Sequence, residues 1–316
     1  MKLSGFTFVK NATKLYYPVK QSIASVLDIV DEFVVALGDN DENDRTRDEI
    51  ESLNSPKIKI IDTVWDLEKF PRGMEHAHQT DIAKNACSGD WLIYLQSDEV
   101  LHEKYLATVA DACKRYLHES EVEGMLFEYK HFWGDYWHYH KSHVWYPREI
   151  RIIRNLPDIH SWESAQSFRR IPDFDGINYR VHHGTYKLKV ALIDACIYHY
   201  GWVRPPDFMQ KKRKTFAAIH RGREKAEQEY EHEKQYFDYG PLDRLQLFNE
   251  TVPKVMEDWI AGFNWADKLQ YSGRIDPKRM KYNHENLKYR LLTFIEQNFL
   301  NGRMIGGFKN YRIIRP

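Results

Sequence analysis

The sequence has few cysteines and lacks a long apolar segment. Its three cysteines, Cys87, Cys113 and Cys196, are far apart and form no Cys-x-x-Cys pair, so reduced thiols of a cytoplasmic protein are the simplest interpretation. No run approaches the roughly 20 apolar residues that cross a bilayer, and residues 1–10 lack the basic and then apolar pattern of a secretory signal. We therefore expect a cytoplasmic protein without a transmembrane segment, which could still associate peripherally with a membrane.

An excess of charge of either sign is also missing. Lys and Arg together number 46, as do Asp and Glu, whereas a general nucleic-acid-binding protein would be basic. Neither a Gly-x-Gly-x-x-Gly turn nor a Gly-x-x-x-x-Gly-Lys-Ser/Thr loop occurs, so the two common glycine-rich phosphate-binding motifs are excluded. If a nucleotide binds, a metal ion or basic side chains must neutralise its phosphates.

What the sequence does contain is an alternation of predicted strands and helices. In chain order we expect a strand at 3–9, a helix at 19–30, a strand at 32–37, a helix at 46–53, a strand at 57–62, a helix at 75–87 and a strand at 91–95. This alternation is typical of an α/β sheet with right-handed crossovers. Helices are also predicted at 101–117, 245–263 and 283–299. We predict a sheet domain over 1–204 and a mostly helical extension over 205–316.

Polar and acidic residues follow successive strands of the predicted sheet. Asn11 follows the first strand, the acidic loop 38–46 follows the second, and Asp98-Glu99 follow the strand at 91–95. Because the carboxyl ends of parallel strands meet at one edge of a sheet, we expect a polar ligand there. Adjacent carboxylates at the end of a buried strand need a partner, such as a metal ion. The alternative is that they cap a following helix.

A segment rich in histidine and aromatic residues, 131–154, could be interpreted as a metal site. His138, His140 and His143 lie close together in it. No cysteine or carboxylate pattern of a structural zinc site accompanies them, so we favour a packed β-ribbon or an aromatic-lined pocket.

Three further features downstream each allow two interpretations. Glu163, beside a tryptophan, could be a general base or a surface ion-pair partner. His199 follows the predicted strand at 190–198 and is either a second ligand beside Asp98 or a hydrogen-bonded structural histidine. The basic cluster 211–214 could help to hold a phosphate-rich ligand, or it could be a solvated helix face.

In this order, the features resemble the family-2 glycosyltransferases of the GT-A fold, in particular the branch with an Asp-x-Asp-Glu signature after the central strand. The likeness covers about residues 1–204. It is carried by Asn11, the acidic loop 38–46, the stretch 85–101, and the His-Tyr-Gly segment at 199–201.

The resemblance implies a GT-A (Rossmann-like) mixed sheet flanked by helices. It also implies an inverting, metal-dependent, hexosyltransferase-like enzyme that moves a sugar from a nucleotide-sugar, most often a UDP-sugar, to a glycan, lipid-linked or protein acceptor in surface polysaccharide biosynthesis. Asp98 and His199 would hold Mn²⁺ or Mg²⁺, and Glu163 would be the catalytic base. The donor would be contacted by Phe8, Asn11, Asp39, Asp41, Gln96 and Ser97.

Three positions depart from the family pattern. Gln96 stands where the family has its first aspartate, Trp162 stands where it often has a histidine before the base, and Gly38 stands where many relatives have an acidic residue. Glutamine forms hydrogen bonds but brings no charge, so the metal site would depend more on His199. The alternative is a catalytically degenerate GT-A domain that binds a nucleotide or sugar, or acts as a scaffold.

Overall fold

A mixed sheet dominates the computed structural model, which describes residues 1–231, 236–276, 279, 281–307 and 309–315. Within these residues the sheet has 13 strands. They are β1 (Leu3–Val9), β2 (Glu32–Leu37), β3 (Ile58–Asp62), β4 (Trp91–Tyr94), β5 (Glu99–Leu101), β6 (Gly124–Trp133), β7 (His138–His140), β8 (Arg148–Arg154), β9 (Ile159–Trp162), β10 (Ser167–Arg170), β11 (Tyr186–Trp202), β12 (Gln246–Leu247) and β13 (Tyr311–Ile313).

Helices connect and cover these strands. The α-helices of the described residues are α1 (Val19–Ala24), α2 (Thr46–Glu51), α3 (Met74–Asn85), α4 (Leu106–Arg115), α5 (Pro206–Arg221), α6 (Arg223–Tyr230), α7 (Glu257–Ala261) and α8 (Leu287–Phe299). Short 3₁₀ turns lie at Glu103–Tyr105, Leu242–Arg244, Lys254–Met256, Ala266–Lys268 and Asn283–Glu285. No helix in the described part of the chain is long and apolar enough to cross a membrane.

The order of the strands is β3-β2-β1-β4-β8-β6-β11-β10-β9. β3, β2, β1 and β4 are parallel, whereas β8 is antiparallel to both of its neighbours. β6 and β11 are again parallel. The carboxyl ends of β1, β2 and β4 therefore meet at one edge, as expected for ligand binding in an open α/β sheet.

Both faces of the parallel half are covered. Along β2, Phe33 and Val35 join one core with Val19 and Ile23 of α1, whereas Val34 joins the opposite core with residues of α3. All six residues of β2 are buried, and for this reason the strand is a continuous apolar run in the sequence. The predicted α/β class, with a mixed sheet flanked by helices and a helical C-terminal region, is confirmed.

Three predicted helices were wrong in extent. The helix predicted at 19–30 ends at Ala24. The helix predicted at 101–117 begins only at Leu106, because Glu99–Leu101 instead forms β5 and pairs with β11. The helix predicted at 245–263 is mainly irregular, with only α7 forming a regular α-helix, and Phe248 and Met256 pack into an aromatic core beside β6 and β11.

Candidate active site

Strand pairing brings Asp98 and His199 together. Asp98 lies between β4 and β5, and β5 pairs with β11 so that Glu99 is opposite His199. The backbone N–H of Tyr200 donates to the carbonyl oxygen of Asp98 at 2.8 Å. Asp98 is only 5% exposed, so its charge depends on its neighbours.

The two carboxylate oxygens of Asp98 have different partners. Oδ2 lies 3.2 Å from Nζ of Lys212 and 3.9 Å from Nη2 of Arg204. Oδ1 lies 3.8 Å from Nε2 of His199. Burial alone would raise the pKa of Asp98, but Lys212, His199 and Arg204 outweigh it and lower the pKa to about 2. The group is therefore an anion at neutral pH.

A hydrogen-bond chain determines which nitrogen of His199 carries its proton. Nε2 of His131 is 2.8 Å from the carbonyl oxygen of Tyr146, and Nδ1 of His131 is 2.9 Å from Nδ1 of His199. Because a carbonyl only accepts, His131 donates from Nε2 and accepts at Nδ1. His199 then donates from Nδ1, which leaves the lone pair of its Nε2 facing Asp98.

Both histidines are neutral in this arrangement. Burial lowers the pKa of His199 to about 4 and that of His131 to about 3. An imidazole lone pair and an anionic oxygen thus face each other across 3.8 Å, which is unfavourable unless a cation lies between them. A second histidine that fixes the tautomer of a metal-binding histidine is a common arrangement.

The residues present fit a divalent cation with two protein ligands. Oδ1 of Asp98 and Nε2 of His199 are the available donors, and a carboxylate with an imidazole suits Mn²⁺ and is compatible with Mg²⁺. Among the described residues no group of three or more His, Cys, Asp or Glu could hold a metal ion. The remaining ligands would come from a bound ligand or from water.

Gly201 allows this close approach. A Cβ at this position would lie 2.8 Å from Oδ2 of Asp98 and would also collide with Nε2 of His199. A larger residue would therefore separate the two donors, which explains why the residue beside them is glycine.

Arg204 is a site residue that the sequence-based reasoning missed. Its side chain is fully buried at 0% exposure, and none of its three guanidinium nitrogens makes a hydrogen bond of acceptable geometry to a described residue. The guanidinium lies over the ring of Tyr17 at 4.5 Å. A buried cation without hydrogen bonds is costly, so its presence beside Asp98 favours a site for an anionic ligand. Its position directly after the His-Tyr-Gly segment was the available signal, but burial is not visible in a sequence.

The residues of the basic cluster 211–214 have different roles, and both interpretations proposed for the cluster apply to part of it. Lys212 of α5 points inward, and its Nζ donates to the carbonyl oxygen of Gly201 at 2.7 Å as well as to Asp98. Lys211 and Lys214 are exposed. Burial and the adjacent Arg204 lower the pKa of Lys212 to about 7, against the opposite effect of Asp98. Lys212 thus belongs to the site, Lys211 and Lys214 form a solvated helix face, and Arg213 lies over the rings of Tyr230 and Phe237.

Asn11, just after β1, holds the acidic loop 38–46 through two hydrogen bonds. Its backbone N–H donates to Oδ1 of Asn40 at 2.6 Å, and its own Oδ1 accepts from the backbone N–H of Asp41 at 2.8 Å. Asn11 has φ of 54°, a conformation that asparagine tolerates better than most residues. The carboxylate of Asp41 pairs with Lys14. Asn11 and Asp41, both predicted to contact the nucleotide-sugar, are therefore hydrogen-bonded to each other.

Asp39 and Phe8 border a small aromatic surface. Asp39 accepts from Nζ of Lys10 at 2.7 Å and from the backbone N–H of Trp65 at 2.9 Å. The ring of Phe8 stacks on His76 at 5.3 Å and lies 6.0 Å from Trp65. The surface beside Asp39 thus offers aromatic faces and a carboxylate at the same edge of the sheet.

Gln96 and Ser97 connect the loop after β4 to its neighbours. Oγ of Ser97 donates to the carbonyl oxygen of Phe8 at 3.4 Å. Nε2 of Gln96 donates to the carbonyl oxygen of Ala165 at 3.0 Å. The amide donor of Gln96 is therefore used in a contact with the turn between β9 and β10, away from Asp98.

Glu99 is committed to a buried ion pair. Its two carboxylate oxygens accept from Nε and Nη2 of Arg151, each at 2.7 Å, and from the hydroxyl of Tyr129 at 2.9 Å. Both members of the ion pair are 0% exposed, and breaking such a pair typically costs about 3–5 kcal/mol. The expectation that the acidic pair caps a helix was wrong, because β5 follows, and of the two acids only Asp98 faces the site.

Glu163 is not in contact with Asp98. It lies in the turn between β9 and β10 with φ of 57°, and its backbone N–H donates to the carbonyl oxygen of Tyr179 at 2.8 Å. Oε1 of Glu163 is 4.0 Å from Nε2 of His182. Its connection to the site runs through Ala165, which accepts from Gln96. Its role as a base stays a prediction.

The histidines of segment 131–154 have separate partners. Nδ1 of His138 is 2.9 Å from both carboxylate oxygens of Asp135. His140 stacks on Trp145 at 4.9 Å, and Nδ1 of His143 is 2.7 Å from Oε1 of Glu296. His138 and His140 belong to β7, which forms a packed ribbon with β6, and His143 lies in the loop that follows β7.

An open cleft of about 720 Å³ lies elsewhere, where β10 and β13 flank β11. Its charged lining includes Arg170, which already pairs with Glu123 and Asp158 at 2.5 Å each. These three charges pair with one another, whereas the atoms beside Asp98 combine two facing metal-compatible ligands with the guanidinium of Arg204, so the latter site is the better candidate for ligand chemistry.

Comparison with known proteins yields distant structural similarity only. No protein-family model matches the sequence, and no curated protein matches it. Similar solved structures include S. aureus TarS 1-349 (14% identity over 69% of this chain and 65% of that chain, TM-score 0.36) and the same protein in complex with UDP-GlcNAc (14%, 69% and 66%, TM-score 0.35). Another is glucosyl-3-phosphoglycerate synthase from Mycobacterium tuberculosis in complex with Mn²⁺, UDP and phosphoglyceric acid (14%, 40% and 42%, TM-score 0.28). The chain covers less than two thirds of each structure, and TM-scores of this size do not establish a shared function.

Proposed function

We propose that the chain is a GT-A-type, inverting glycosyltransferase that takes its sugar from a UDP-sugar with the help of Mn²⁺ or Mg²⁺. The observation that carries the proposal is a pair of facing metal-binding atoms, Oδ1 of Asp98 and Nε2 of His199, which lie 3.8 Å apart. The guanidinium of Arg204, which makes no hydrogen bond of acceptable geometry to a described residue, lies beside them. An anionic ligand with its own cation would complete this set of charges.

The donor diphosphate is the part of the substrate that this site suits. Asp98 and His199 would hold the metal ion, which when bound stabilises negative charge on the leaving diphosphate. Arg204 and Lys212 would bind phosphate oxygens directly, since guanidinium and ammonium groups form charge-assisted hydrogen bonds to phosphate. Lys212 would exchange its contact with Oδ2 of Asp98 for one with the ligand.

The nucleoside would lie at the ends of β1 and β2. Asn11, Asp39 and Asp41 adjoin one another there, and Phe8 offers an aromatic face beside them. Carboxylate and amide oxygens suit the hydroxyl groups of a ribose, and an aromatic ring suits a base. We propose a cytoplasmic role in surface glycan synthesis, with a glycan, a lipid-linked sugar or a protein as the acceptor.

The donor proposal is tested by thermal unfolding with a panel of UDP-sugars, with Mn²⁺ or with a chelator. A ligand at 100 times its Kd adds about 2.7 kcal/mol to the free energy of unfolding, which raises Tm by roughly 5 °C in a chain of this size. We expect this increase for at least one UDP-sugar with Mn²⁺ and a smaller one with the chelator. If no UDP-sugar raises Tm under either condition, the proposal is wrong.

Measuring donor turnover distinguishes an active transferase from the alternative, a catalytically inactive binding domain in which Gln96 replaces an essential acid. An active enzyme slowly hydrolyses a bound donor even without an acceptor, so free UDP should accumulate in the presence of Mn²⁺. Stabilisation by a UDP-sugar without UDP release or transfer would assign the chain to the binding-only alternative.

Glu163 is the proposed base that removes the proton from the acceptor hydroxyl. Glu163→Gln keeps the shape of the side chain and removes its basicity, so transfer should fall by at least about 100-fold, while the Tm increase caused by the donor stays unchanged. Glu68→Gln, at an exposed position, is a control for loss of one acid. Transfer at the normal rate by Glu163→Gln would exclude this residue as the base.

A further inference from the structure

Helix α8 exposes an apolar stripe. Leu287, Leu291 and Phe294 are 79%, 57% and 56% exposed. Their spacing of four and three residues places them on one side of the helix. Phe299, at the end of the helix, is 72% exposed. The apolar surface therefore continues along the whole length of α8.

The opposite side of α8 binds the protein through polar groups. Glu296 is 1% exposed, and its Oε1 lies 2.7 Å from Nδ1 of His143 and accepts from the backbone N–H of Ile305 at 2.7 Å. Oγ1 of Thr293 accepts from the backbone N–H of His143 at 2.9 Å. Helices on protein surfaces normally bury their apolar side, so α8 has the reverse orientation. This orientation leaves the apolar stripe available to another apolar medium.

The segment that contains the stripe has an excess of positive charge. Residues 281–315 contain two acids, Glu285 and Glu296. Both are buried and paired within the protein: their side chains are 6% and 1% exposed, and they pair with Arg279 and His143, respectively. The same segment contains seven bases, which are Lys281, Lys288, Arg290, Arg303, Lys309, Arg312 and Arg315. On α8 itself, Lys288 and Arg290 lie on the two sides of the apolar stripe and are exposed.

We propose that α8 docks this protein on an anionic membrane surface, with the apolar stripe in the interface and the flanking bases at the lipid headgroups. A helix of 13 residues is about 20 Å long, too short to span a bilayer but suited to lie in its interface. A two-fold contact between copies of this chain is less favourable, because it would bring Lys288 and Arg290 of the two copies together while Glu296, the acid of α8, is buried. Membrane binding of this kind does not depend on the proposed transferase activity.

The docking helix also touches the support of the candidate site. His143, which α8 holds through Glu296 and Thr293, lies in the same loop as Tyr146. The carbonyl oxygen of Tyr146 is the partner of His131, which in turn orients His199. The protein-facing side of α8 thus adjoins the loop behind the site, while the apolar stripe points away from it.

Flotation of the full chain with lipid vesicles tests the proposal. Vesicles of phosphatidylcholine alone are compared with vesicles containing about 30% phosphatidylglycerol, and binding is expected only to the anionic ones. Leu291→Gln/Phe294→Gln should lower the partition coefficient at least about tenfold. Lys288→Gln/Arg290→Gln should lower the partition coefficient about 25-fold, because each lost charge lowers it about fivefold.

Matched controls replace exposed residues of the same kinds elsewhere. Val64→Gln/Ile177→Gln removes two exposed apolar side chains, and Arg45→Gln/Lys114→Gln removes two exposed charges; both should bind anionic vesicles like the unmodified chain. Failure of the unmodified chain to float with anionic vesicles would overturn the proposal. So would equal flotation of the Leu291→Gln/Phe294→Gln variant. If the unmodified chain does not bind vesicles but forms a dimer in ultracentrifugation, and the Leu291→Gln/Phe294→Gln variant is a monomer, the stripe is assigned to contact with a second copy instead.

Discussion

Asp98→Asn is expected to reduce Mn²⁺-dependent turnover of the donor by about 1000-fold. The substitution keeps the size of the side chain and removes the negative charge, and a neutral amide oxygen is a far weaker ligand for a divalent cation than a carboxylate. The increase in Tm that Mn²⁺ adds to donor binding should disappear as well. Donor hydrolysis, measured as UDP release, and thermal unfolding provide the two measurements.

Stability should also decrease in this variant, because Lys212 and Arg204 lose their anion. A carboxylate whose pKa is lowered from its usual range to about 2 contributes roughly 2 kcal/mol at neutral pH, so the variant is compared at a temperature where it stays folded. Asp111→Asn, on the exposed side of α4, is the matched control and should have normal turnover. Unchanged Mn²⁺-dependent turnover in folded Asp98→Asn would remove Asp98 from the metal site.

Arg204→Met should weaken donor binding by about 1000-fold in a protein that still folds. Each hydrogen bond to a charged group contributes about 1.5–3 kcal/mol, and a guanidinium can form two such bonds to a diphosphate. Without a ligand the same guanidinium is fully buried, makes no hydrogen bond of acceptable geometry to a described residue, and lies 3.9 Å from Oδ2 of Asp98. Methionine removes this cation but leaves Lys212 3.2 Å from Oδ2, so the free energy of unfolding should fall by less than about 3–5 kcal/mol, the cost of breaking a buried ion pair.

The loss of donor affinity, compared with the change in stability, distinguishes a ligand-binding residue from a structural one. Titration of the donor against each variant and chemical unfolding without donor measure the two quantities. Arg204→Lys keeps the charge but loses the planar fork, so it should recover part of the affinity. Normal donor affinity in Arg204→Met, or a strong loss of stability with no change in affinity, would contradict the role proposed for Arg204.

The parallel half of the sheet could be predicted from the sequence because its strands are buried on both faces. β2 is apolar after its first residue, Glu32, and β1 and β2 have the bounds that the sequence pattern predicted. The region at 245–263 could not be predicted in this way, since Phe248 and Met256 are apolar for a tertiary reason: they fill the space beside β6 and β11. Helical spacing alone does not reveal that the chain there is held by packing between distant elements.

The site was only partly predictable for a similar reason. Asp98 and His199 attract attention by residue type and by their positions after buried strands, but only the pairing of β5 with β11 places them 3.8 Å apart. Arg204 and Lys212 are two ordinary bases in the sequence. Their burial beside Asp98 depends on how the chain after β11 folds back over the sheet edge.

The sequence by itself determined the chemistry available at the sheet edge: carboxylates, a histidine and bases after buried strands, with no glycine-rich phosphate loop. The tertiary structure decided which groups remain free to act. Asp98 and Glu99 are adjacent and chemically alike, yet Asp98 ends the turn after β4 whereas Glu99 begins β5. Glu99 is neutralised by Arg151 from β8, whereas Asp98 faces His199, Arg204 and Lys212. The strands and helices that fold next to each carboxylate therefore assign one to stability and the other to the candidate site.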